Sequence, residues 1–147
     1  MKILILMSEM PGLTDEPDIE NEVGKDIFVT GDAVEEGLRE RNHTVARALI
    51  KRSVLDALEP YDPREWVVFN LCESVYGDAC MELNIPALLD LLRIPYTGSP
   101  PLTLGLCQDK GKVKDILSSQ GILTPRYKIF DREVGSLKGN IFPIIVK

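Results

Sequence analysis

The chain has no apolar run near the ~20 residues needed to span a bilayer, which excludes a membrane-spanning helix from its sequence pattern. Its 147 residues contain one histidine, His43, and three cysteines, Cys72, Cys80 and Cys107, none of them in a CxxC pair. That inventory gives no zinc-type spacing, and an odd cysteine count without a secretory signal reads as reduced thiols in a cytoplasm. The apolar start, Met1 to Met7, is too short for a signal peptide and runs into Ser8-Glu9 without a small-residue cleavage site. There is no excess of positive charge: the formal net charge is −6, which argues against nucleic acid as a partner. No G-x-G-x-x-G follows the first apolar run, and no Walker-type lysine loop exists, so neither standard nucleotide fingerprint is present.

What remains is an ordinary globular composition, 44% hydrophobic and 27% charged, in a length suited to one domain or one domain and the start of another. Three runs read as strands: Lys2 to Met7, a continuous apolar run buried on both faces, Thr44 to Ile50, and Trp66 to Leu71, again nearly continuous in apolar residues. Between the first two, Ser8 to Asp26 holds seven acidic residues, two prolines and two glycines, and is expected to be a long mobile loop. Asp32 is expected to cap a helix, with Glu35 as its capping-box partner, Val34 and Leu38 on one face and Asn42 closing it. A short helix is expected within Ser53 to Leu58. Another, with Ala87, Leu88, Leu91 and Leu92 facing the core, carries Pro86 at its start or at a kink. Ile94 to Thr97 reads as a short extended piece and Gly98 to Pro101 as a turn. Asp109 caps a further helix that Gly121 ends, and Tyr127 to Phe130 and Ile144 to Val146 read as strands. Strands that alternate with helices and are apolar throughout predict a parallel sheet with helices on both faces. Ligands of such sheets lie beyond the carboxyl ends of the strands, near the loops that start at Ser8 and Cys72.

Glu73 falls in that zone. A carboxylate there can hold an ammonium group or a metal, and equally can be a solvated loop acid. Asp78 reads as the cap of the next helix. His43 reads as a surface turn residue, and Cys72, with no partner base in view, as a packed thiol. Lys110, Lys112 and Lys114 crowd a helix N-terminus, where the macrodipole disfavours cations. Lys112 and Lys114 are read as solvent-facing. Lys110 stays open as an anion ligand, and with Lys147 at the end of an apolar strand would offer two point charges to one phosphate chain.

From Ile94-Pro95-Tyr96-Thr97-Gly98-Ser99 onward, through Pro101-Leu102-Thr103-Leu104, Asp109-Lys110, Lys114, Gly121 to Pro125 and Pro143 to Lys147, the order and spacing resemble the D-alanine–D-alanine ligase family of ATP-grasp enzymes. Phe69 to Glu73 and Ile85 to Leu89 resemble a ligase-like branch of it. The resemblance implies a Rossmann-like pre-ATP-grasp domain at residues 1–106 and, from residue 107 to 147, the beginning of an ATP-grasp nucleotide-binding subdomain. It implies ATP-dependent joining of a carboxylate and an amine through an acyl phosphate, with ATP and magnesium as cofactors and a small amino acid or peptide as substrate. A homodimer in the cytoplasm fits the same expectation. Lys110 and Lys147 match the family's ATP-phosphate lysines. The family's glycine-rich first loop, with its ammonium-binding glutamate, is replaced by the acidic stretch from Ser8 to Thr30, where Glu22 is a candidate substitute. Its His-Gly motif after the third strand is replaced by Cys72-Glu73-Ser74. Both departures point away from D-alanine itself as substrate. The catalytic arginine and the acidic magnesium ligands would lie beyond Lys147, so these residues alone are expected to be inactive. The alternative is a non-catalytic α/β binding or interaction module.

Overall fold

The computed structural model describes residues 1–8, 19–130 and 132; for 19–26 the description is of the backbone alone. The chain divides into two compact units, Met1–Gln108 and Asp109–Lys147.

The first unit is built on a three-stranded sheet of β1 (Lys2–Ser8), β2 (Thr44–Ile50) and β3 (Trp66–Asn70), in the order β2-β1-β3. Both pairings are parallel, Ile5 standing opposite Arg47 on one side and Phe69 on the other. The central strand is therefore covered above, below and along both edges, which is why six successive residues from Ile3 to Ser8 are buried. Pro95 to Thr97 run along the outer side of β3: Val68 N–H donates to Pro95 O at 2.8 Å and Thr97 N–H to Val68 O at 2.9 Å.

Helices close both faces. On one, Leu4, Leu6, Ala48, Ile50 and Val68 pack with Leu58, Ile85 and Leu89. These three come from α2 (Val54–Leu58), whose Ser53 Oγ accepts from Asp56 N–H at 3.2 Å, and from α3 (Asn84–Leu91). Pro86 lies in the first turn of α3, where a missing N–H costs nothing. On the other face, Ile5, Met7 and Val45 pack with Ile27, Val34 and Leu38 of α1 (Ile19–Glu40). Burying a residue such as Leu4 or Leu89 contributes about 1.5–3 kcal/mol, so these two clusters carry most of the unit's stability.

The helix α1 corrects two expectations. Residues 19–26 are helical rather than loop; the rest of the expected loop, 9–18, lies outside the described residues. Asp32 is not an N-cap but sits inside the helix. The apolar spacing Ile19, Val23, Ile27, Val34, Leu38 is helical, and Gly31 breaks it for a steric reason: a Cβ there would stand 2.9 Å from Met7 Sδ. Asp32 and Glu35 instead bind Arg47 of β2, Asp32 at 2.7 Å, and Glu35 also holds Arg39 at 2.6 Å. Asn42 ends the helix as expected, at φ 61, with His43 N–H donating to Leu38 O at 3.1 Å. The expected turn at Gly98 to Pro101 runs directly into α4 (Pro101–Gln108), which the pattern did not suggest.

In the second unit, α5 (Lys110–Ser119) starts at Asp109, whose Oδ1 accepts from Lys112 N–H at 2.9 Å, and the chain turns away at Gly121, φ 72. Tyr127 to Phe130 form no strand. Tyr127 instead anchors to α5, its hydroxyl bonding Asp115 Oδ1 at 2.6 Å and Gly111 O at 3.1 Å. The expected strand Ile144 to Val146 lies outside the described residues.

Candidate functional site

In a parallel sheet ordered β2-β1-β3, the chain leaves β1 in one direction and returns beyond it in the other. The switch point, where the connections diverge, is between the carboxyl ends of β1 and β3. Ser8 ends β1 there and is buried. At the end of β3, Asn70 Oδ1 accepts from Cys72 N–H at 3.1 Å, and Asn70 N–H donates to Thr97 Oγ1 at 3.2 Å. Leu71 N–H still pairs with Leu6 O at 2.9 Å. The strand thus ends in a side-chain-closed turn that fixes where the next residues point.

Cys72 faces inward, its thiol 3.6 Å from Leu6 O and beside Ser8. Burial pushes the thiol up to about 12, so it is protonated at neutral pH and packs as a small apolar group. Ser74 and Val75 are buried as well, which leaves Glu73 projecting alone between buried neighbours. Among the described residues Glu73 has no ion-pair partner. An exposed carboxylate at the switch point, with no ion-pair partner among the described residues, is suited to binding a cation such as an ammonium group.

The loop then folds into a tight hairpin. Val75 and Asp78 exchange both backbone hydrogen bonds, at 3.1 and 3.0 Å, across Tyr76 (φ 55) and Gly77 (φ 81). Tyr76 O–H donates to Arg52 O at 2.9 Å, tying this loop to the one after β2. Sequence reasoning missed Tyr76; its neighbour Gly77 was the only local signal of such a turn. Asp78 caps as expected, though a 3-10 turn, accepting from Cys80 N–H at 2.8 Å. His43 is a turn residue, its Nδ1 3.4 Å from the N-terminal amine.

Lys110 is the first residue of α5 and is exposed. Lys112 pairs with Asp109 at 2.9 Å. Lys114 is not solvent-facing as expected: its Nζ donates to Pro125 O at 2.9 Å and lies 5.6 Å from the Tyr127 ring centre. Glu22 lies on α1, in the part described only as backbone, and Lys147 lies outside the described residues. Glu73 belongs to the first unit and Lys110 to the second. No group of three or more His, Cys, Asp or Glu suited to a metal occurs among the described residues.

No family model matches the sequence. Among curated proteins, the D-alanine–D-alanine ligase of Aquifex aeolicus is 31% identical over all of this chain, which covers 46% of that enzyme. The D-alanine–D-alanine ligase of Moorella thermoacetica is 32% identical over 86% of this chain and 36% of its own length. The D-alanine–D-alanine ligase of Bacillus anthracis superposes over 86% of this chain and 36% of its own, with a TM-score of 0.60 and 25% identity. The chain is D-alanine–D-alanine ligase-like. An uncharacterized protein of Sinorhizobium fredii, y4sG, is 33% identical over 79% of this ligase-like chain and 36% of that protein. The chain spans less than half the length of each of these four proteins.

Proposed function

We propose that this chain is the N-terminal, amino-substrate part of an ATP-dependent carboxylate–amine ligase. Residues 1–106 are its pre-ATP-grasp domain and residues from 107 begin the nucleotide-binding subdomain. The observation that carries the reading is Glu73: exposed, without an ion-pair partner among the described residues, and at the β1/β3 switch point of a chain that superposes over 86% of its length on a D-alanine–D-alanine ligase. Glu73 holds the substrate ammonium, and Glu22 is a second candidate for that role. Lys110 and Lys147 offset the charge of a nucleotide's phosphates. ATP, when bound, supplies the phosphoryl group that activates the carboxylate. No catalytic step is assigned to the described residues.

Two lysines do not make a nucleotide pocket. Exposed ion pairs contribute about 0–1 kcal/mol each, whereas immobilising a ligand costs at least ~4 kcal/mol. The 147-residue chain, given ATP, magnesium and alanine, should release no phosphate and show at most weak heat of ATP binding by calorimetry. Micromolar ATP affinity would overturn the reading and favour a self-sufficient nucleotide-binding module.

A further inference from the structure

The carboxyl edge of the sheet carries positive charge with no ion-pair partner among the described residues. β2 ends at the buried Ile50, and Lys51 and Arg52 follow at once, both exposed. Elsewhere in the unit Arg39 and Arg47 are matched by Glu35, and Arg47 also by Asp32. The side chains of Lys51 and Arg52 have no ion-pair partner among the described residues, and neither does Glu73, on the far side of the β1 end. The two loops are nevertheless fastened together. The Tyr76 hydroxyl reaches past the end of the central strand β1 to Arg52 O at 2.9 Å. It does so from φ 55, a backbone conformation that a bulky side chain adopts only at a cost in energy. A strained residue spent on holding two loops of opposite charge side by side is expected where the pair is used.

We propose that Lys51 and Arg52 form an anion subsite next to the Glu73 loop, and that the substrate is an amino acid whose side chain carries an additional acidic group. The proposal rests on the ligase reading. With the ammonium on Glu73, the carboxylate to be activated must stay open to phosphoryl transfer, so the cations that follow β2 serve a different anionic group. A guanidinium beside an ammonium suits a carboxylate or a phosphate ester. Tyr76 is a positioning residue: it sets where the Arg52 backbone stands relative to the Glu73 loop.

The test is NMR titration of the 147-residue chain at low ionic strength with alanine, glutamate and phosphoserine, each as both enantiomers. An added charge-assisted hydrogen bond corresponds to about tenfold or more in affinity, so an acidic amino acid should bind about tenfold more tightly than alanine. The Lys51→Ala/Arg52→Ala double variant should lose that preference and keep its alanine affinity, and Lys51→Gln/Arg52→Gln repeats the measurement if the first fails to fold. Tyr76→Phe should narrow the preference, and Glu73→Gln should weaken all the ligands alike. A preference for glutamate that phosphoserine does not share identifies the group as a carboxylate, and the converse identifies it as a phosphate. Equal affinity for alanine and both acidic ligands, or a preference that survives the double variant, overturns the subsite and leaves the ligase reading standing. No amino-acid binding at all overturns both.

Discussion

In the parallel sheet, Leu4, Ile5, Leu6 and Val68 are fully shielded from solvent by helices packed on two faces. In the described part of the second unit, α5 buries only Gly111, while Leu123 is 99% and Ile129 66% exposed. That unit is tied instead by polar contacts: Asp109 on the helix N-terminus, Lys114 on Pro125 O, and Tyr127 on Gly111 O and Asp115. The difference is one of currency. Burial in the sheet is shared among many residues, so one deletion is felt by all of them. The contacts around α5 are local, worth about 1 kcal/mol each. The largest expected effect follows directly. Leu6→Ala should cost about 2–5 kcal/mol, whereas Leu123→Ala should change stability by no more than about 0.5 kcal/mol. Chemical denaturation of the two variants would show it, and equal losses would erase the distinction.

A smaller effect sharpens the contrast within the first unit, between its apolar clusters and the charged strap that fastens α1 to β2. Hydrogen bonds from Arg39 and Arg47 hold the Glu35 carboxyl below its ordinary value of 4.5. A carboxyl depressed in the folded state adds stability that is complete above the unfolded value and is lost as pH falls through the folded one. Glu35→Gln should therefore be less stable than the parent at pH 7, and the gap should close under acid conditions below pH 4.5. Denaturation midpoints at neutral and acid pH would measure this; a gap independent of pH would mean that the strap contributes packing alone.

The three strands were legible because each is an apolar run whose neighbours on both faces are apolar too. The first turns of α1 were hidden by acidic residues around Ile19 and Val23, and by Gly31, whose reason is a contact with Met7 on another element. Pro100-Pro101 read as a turn, although proline also starts helices, as Pro101 does for α4. Tyr127 to Phe130 have strand-like residues but no neighbouring strand; a hydroxyl bonded to α5 decides their place. At the site, Glu73 could be found from its position past the end of an apolar strand, β3. The Tyr76 tie to Arg52 could not, because it joins residues 24 apart whose proximity is set by the sheet order.

The central claim is that the β1/β3 switch point, with Glu73 at its rim, receives the amino substrate. The most direct measurement is a map of backbone amide NMR shifts during titration with a saturating amino acid. The account predicts that the largest shifts fall at Ser8, at residues 70–75 and at Thr97, and that they collapse in Glu73→Gln. Shifts centred on the Asp32–Arg47 strap or on α5, with the β1 and β3 ends unmoved, would contradict it.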